Sequence, residues 1–170
     1  MGKSLALERG RNYVSCMRRR VLWLLLLCLL LGTLPAGAAT GRVIKVLPQF
    51  LGTNGLASLS PSLYDRDAYQ FLLQRHPTWR TGMRFMVQWK SKGPVWEPLT
   101  IRVELRGTAQ GNLPKQLVID KPVEPGRWFS SWTSVALSGE DYQGFGEVTA
   151  WRVRLWEGKQ VLGEQRSFLW

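Results

Sequence analysis

Met83-Arg84-Phe85-Met86-Val87-Gln88-Trp89-Lys90 decides how this chain folds. Met83, Phe85, Val87 and Trp89 alternate with Arg84, Met86, Gln88 and Lys90. Side chains that change face at every residue sort into one apolar and one polar surface only on an extended backbone, so the segment reads as a strand. The same period of two returns in Ile101, Val103 and Leu105 against Arg102, Glu104 and Arg106, and in Trp151, Val153 and Leu155 against Arg152, Arg154 and Trp156. Strands of this kind are half-buried and belong to antiparallel sheets with one solvated face.

Working outward, residues 116–121 form a further strand closed by Pro122, and residues 130–137 another, with Pro125-Gly126 turning between them. Glu157-Gly158-Lys159 turns the chain into residues 160–170, whose apolar end Ser167-Phe168-Leu169-Trp170 is expected to complete an edge strand. Upstream, residues 42–47 read as the first strand, ended by Pro48, and Gly52-Thr53-Asn54-Gly55 as a turn. Ser60 as N-cap and Pro61 at the first helical position then open a helix over about 61–75, which His76-Pro77 stops. Its apolar stripe is Leu63, Ala68, Phe71 and Leu72, widened by Tyr64 and Leu73, with Asp65, Arg66, Asp67 and Arg75 mostly on the solvent side. The expected fold is mainly β: an antiparallel β-sandwich of about seven strands with Greek-key connections, and one short α-helix inserted after the first strand.

Leu137-Ser138-Gly139-Glu140-Asp141-Tyr142, just ahead of the strand at 148–156, resembles the tyrosine corner of immunoglobulin-like and fibronectin type III-like domains. The resemblance implies an immunoglobulin-like or fibronectin-like sandwich in which the Tyr142 hydroxyl bonds back to the backbone as the chain crosses between sheets. Gln143-Gly144-Phe145-Gly146 departs from the pattern, and the paired cysteines of immunoglobulin domains have no counterpart. The likeness is architectural and carries no catalytic residue across.

The first forty residues have a different character. Arg18-Arg19-Arg20 run into the apolar stretch 21–31, and Pro35-Ala36-Gly37-Ala38-Ala39 follows. This is the layout of a secretory signal peptide, a helical leader expected to be cleaved after Ala38, with Ala39 the alternative. A membrane-spanning helix needs about 20 apolar residues, more than this run supplies before Gly32, Thr33 and Pro35. The expected organisation is therefore a leader at 1–38 and a single β-sandwich domain at 39–170. The domain would be exported, periplasmic or extracellular; if the leader is retained, it would be anchored by its N-terminus with the domain outside. Both cysteines, Cys16 and Cys28, lie in the leader, so the exported part has no disulfide, metal-thiolate site or cysteine nucleophile to draw on. The leader also holds six basic residues and one acid, so the remaining balance is 17 to 11, a net +6 against +11 for the whole chain.

No residue pattern in the exported part specifies a reaction. One histidine, His76, stands at a helix end, where it complements the helix dipole, and no nucleophile motif accompanies it. Glu140-Asp141 with Glu147 lacks the spacing of a calcium loop, and there is no phosphate-binding loop or dinucleotide fingerprint. No metal or cofactor is called for. Tryptophan and arginine are what stand out. Alternation assigns Trp89 and Trp151 to the core, with Tyr142 as the third structural aromatic. Arg102, Arg106, Arg152, Arg154 and Trp156 lie on the polar sides of their strands and would form one cationic, aromatic face if those strands are neighbours. The expected role is a non-catalytic protein-interaction or structural module of the cell envelope. A carbohydrate-binding domain using exposed Trp and Arg is the alternative, and a small secreted hydrolase the third reading. The expected partner is a protein or an acidic glycan of the envelope, with the membrane engaged only through an uncleaved leader and nucleic acid excluded by location.

Overall fold

The computed structural model describes residues 39–109, 113–126 and 129–170, which fall in one compact unit. The leader and its Ala38 cleavage point lie outside these residues, while Ala39 is described and buried. Among the described residues there are seven strands: β1 Thr40–Leu51, β2 Gly82–Lys92, β3 Leu99–Thr108, β4 Pro114–Val123, β5 Ser131–Ser138, β6 Glu147–Glu157 and β7 Gln160–Arg166. Helix α1, Leu63–Arg75, follows β1, and a second short helix, α2, Gly139–Phe145, links β5 to β6. The chain is thus mainly β, with two antiparallel sheets of order β1-β2-β5 and β4-β3-β6-β7.

The alternating strands build the core as their period requires. Phe85, Val87 and Trp89 from β2, Ile101, Val103 and Leu105 from β3, and Val153 and Leu155 from β6 are almost wholly excluded from solvent and form one cluster shared by both sheets. Each such side chain contributes roughly 1.5–3 kcal/mol by leaving water. Trp89 is buried, and its indole N–H donates to Thr133 Oγ1 at 2.9 Å, which satisfies the one polar atom it brings inside. Trp151 packs against the same cluster from its margin, edge-on to Phe85 with ring centroids 6.4 Å apart.

Several local expectations are corrected. β1 does not end at Pro48 but runs on to Leu51, and β4 includes both Pro114 and Pro122. Both are edge strands, where a proline without an N–H is tolerated on the side that faces away from the neighbouring strand. The cap of α1 is Ser62 rather than Ser60, its side chain accepting from the Asp65 N–H. The largest difference lies in α1 itself, whose apolar stripe does not enter the core. Leu73 is its sole buried residue, and Leu63, Tyr64, Phe71 and Leu72 are exposed. The helix is held by polar contacts instead. The Gln70 side-chain amide donates to the carbonyls of Phe50 (2.9 Å) and Ala57 (2.8 Å), while its oxygen accepts from the Phe50 N–H (2.8 Å). Arg80 donates to the carbonyls of Leu73 and Gln74 at the helix end, where free carbonyls carry partial negative charge. At the β5–β6 corner a helix occupies the segment read as a direct crossing. Tyr142 lies on α2 and packs against the core, and its hydroxyl is met by the Arg80 guanidinium.

Candidate functional site

β3 and β6 are neighbours, so the residues singled out from the sequence come together on the outer face of the four-stranded sheet. In register, Thr100 lies opposite Trp156, Arg102 opposite Arg154, Glu104 opposite Arg152 and Arg106 opposite Ala150. β4 adds Asp120 beside Arg102, and β7 adds Glu164 beside Arg154 and Arg166 beside Arg152.

Most of these charges answer one another. Arg102 grips Asp120 through two hydrogen bonds of 2.7 Å, and Glu104 receives both Arg152 and Arg154. Glu104 is 8% exposed, so its charge sits beneath the sheet surface with a guanidinium on each oxygen. Burial works to raise the Glu104 carboxyl pKa, but hydrogen bonds from Arg152 and Arg154, together with their charges, outweigh it and hold the group below the usual carboxylate range. The hydrogen bond from Arg102 lowers Asp120 in the same way, against a smaller effect of burial, and the same bond raises Arg102.

The aromatic rings are part of this network. The guanidinium groups of Arg102 and Arg154 lie 5.2 and 4.9 Å from the Trp156 ring centroid. Trp156 is consequently half-covered rather than standing clear of the sheet. At the other end Trp170 lies under Arg106 at 4.1 Å and Arg152 at 4.7 Å. The apolar end 167–170, Trp170 included, was expected to complete an edge strand. Its place on this face follows from Ser167, which stops the strand: its N–H donates to the Trp151 carbonyl at 2.8 Å and its hydroxyl accepts from the Trp151 N–H at 3.0 Å, and the Trp170 N–H then donates back to the Ser167 carbonyl. Arg106 is exposed, and Phe168 and Leu169 stand fully or mostly in solvent nearby in the chain.

The face is therefore a row of interleaved guanidinium and indole groups, pinned from below by carboxylates. Chemically it offers preorganised cationic and aromatic contact surface. Among the described residues no group of three or more His, Cys, Asp or Glu side chains is placed to hold a metal ion. Among the same residues no helix is long and apolar enough to cross a membrane, and none carries a cysteine. His76 caps α1 and stacks on Trp79 with centroids 4.4 Å apart. The chain matches no known protein family, no curated protein and no solved structure.

Proposed function

We propose that this chain is an exported, non-catalytic immunoglobulin-like β-sandwich that serves as a protein-interaction module of the cell envelope, engaging its partner through the Arg–Trp face of the four-stranded sheet. The strand order supports the sandwich type. Immunoglobulin domains set strands ABED against CFG, and β1-β2-β5 against β4-β3-β6-β7 is that arrangement with the fourth strand transferred to the second sheet. The observation that carries the binding role is the fixed ladder of Arg102, Arg106, Arg152, Arg154, Trp156 and Trp170. Arginine and tryptophan are the residues in which interface energy concentrates, and groups already held in place lose little freedom on binding. Sugar stacking is less well served, because guanidinium groups already lie over the Trp156 ring.

Arg152 and Arg154 are poor probes of this face, because removing either strands part of the buried Glu104 charge. Arg106 is exposed and, among the described residues, stacks on Trp170 alone, so Arg106→Glu separates binding from folding. Capture from the native envelope should fall at least tenfold for Arg106→Glu, a loss of about 1.4 kcal/mol, with the melting temperature unchanged. Undiminished capture by that variant would remove this face as the site. A tryptophan fluorescence change across a glycan panel would transfer the reading to carbohydrate.

A further inference from the structure

The three-stranded sheet carries a charge pattern unlike that of its partner. β1, β2 and β5 contain no aspartate or glutamate, and their five basic residues, Arg42, Lys45, Arg84, Lys90 and Lys92, all fall on the outer face. Register explains the segregation. Phe85, Val87 and Trp89 point into the core, which turns Arg84, Lys90 and Lys92 outward, and the pairs Thr40–Lys92, Arg42–Lys90 and Lys45–Gln88 set the β1 cations on the same side. A bulge between Val43 and Lys45 is what turns Lys45 out; without it Lys45 would share the inward side with Val43. Arg42, Lys45 and Lys92 are exposed. Thr40, Gly41, Arg42, Lys90 and Lys92 line a cavity of about 320 Å³ at the end of the face where β1 begins, with no carboxylate among the described residues of its wall.

We infer that this face docks on an anionic phospholipid bilayer, with the cavity taking a phosphate-bearing headgroup. Charge complementarity is the first reason, since β1, β2 and β5 bring no acid to set against the exposed Arg42, Lys45 and Lys92, whereas Glu104 and Asp120 hold arginines on the other sheet. The second is the side chains between the cations: Trp132 shares a row with Lys45 and Gln88 and is 47% exposed, and Leu47 and Met86 form the next row. Tryptophan beside basic residues suits the headgroup layer, where one end of the ring is apolar and the other wet.

The test uses the full chain with vesicles of phosphatidylcholine, alone or mixed with phosphatidylglycerol, so that any partitioning driven by the leader is common to every variant. Reversing Arg42, Lys45 and Lys92 together (R42E, K45E, K92E) should lower partitioning onto the anionic vesicles on the order of a hundredfold, at about fivefold per cation, and should flatten its salt dependence. A matched reversal elsewhere (R75E, K159E, R166E) changes the net charge equally and should retain most of the binding. Circular dichroism and melting verify both folds, and the single variant Lys92→Gln, expected to lose about fivefold, serves if the triple variant does not fold. Equal losses in the two triple variants would overturn the inference in favour of net charge alone. Full competition by inorganic phosphate would overturn it in favour of a small-anion site. Retention by polyglutamate with no preference for anionic vesicles would overturn it in favour of an acidic protein partner.

Discussion

Glu104 shows how one side chain organises a surface. Alternation marks it as an outward residue of β3, and so it is, yet it is among the few buried charges of the described residues because Arg152 and Arg154 close over it. Glu104→Ala should cost about 2–3 kcal/mol in denaturant titration, below the full cost of breaking a buried pair because the two guanidinium groups keep some contact with water. The Glu104 and Asp120 carboxyls lie lower in the folded chain than in the unfolded one. Their contribution is therefore complete above the unfolded carboxyl range of about 4 and is lost as pH falls through the lower folded values. Melting temperature should drop below about pH 4 in the wild-type chain, and the drop should be shallower in Glu104→Gln. Gly146 makes a second residue-scale case. Its φ of 86° is a conformation that side chains disfavour, and a Cβ there would run into the Thr108 carbonyl. Gly146→Ala should cost about 2 kcal/mol or more, read from the same titration.

Among the elements, α1 separates what periodicity can say from what it cannot. The helix was legible from its spacing and its stop at His76-Pro77, but the face it presents to the body was not. Arg66, Tyr69, Gln70 and Leu73 turn toward the molecule, Gln70 bonding the Phe50 backbone on β1 and Leu73 being the helix residue that is buried. A polar side chain that satisfies an N–H and two carbonyls outweighs the apolar stripe, of which Phe71 lines a groove beside Leu47 and Pro48 yet stays exposed. The same contact protects an edge. The Phe50 backbone faces away from β2 and would otherwise template another strand, and Pro48, two residues earlier, offers no N–H on that side. Lys121 does likewise for β5, donating to the Ser134 carbonyl at 2.7 Å. Gln70→Leu should destabilise by about 1–3 kcal/mol and, more tellingly, speed amide hydrogen exchange at Phe50 ahead of the core strands. Helix α2 left a weaker trace, since Gly139-Glu140-Asp141-Tyr142 reads equally well as a direct crossing between sheets.

For the whole molecule, the two sheets share a core and divide the charge. On the four-stranded sheet cations and carboxylates interlock, whereas the strands of the three-stranded sheet carry cations and no carboxylate. Reversing Lys45 and Lys92 should therefore leave the melting temperature unchanged or slightly higher, and raising the salt concentration should stabilise the wild-type chain by screening repulsion among its cations. The sequence alone determined that the chain is mainly β, where its strands and first helix run, and which faces of the alternating strands are apolar. Those are local properties, fixed by a period of two and by the turn residues between runs. Which strands become neighbours is a matter of pairing over tens of residues, and only the tertiary structure decided it. That pairing placed Arg102 and Arg152 beside Asp120 and Glu104, folded Trp170 onto Arg106, and, through one bulge in β1, gathered five cations on a single face.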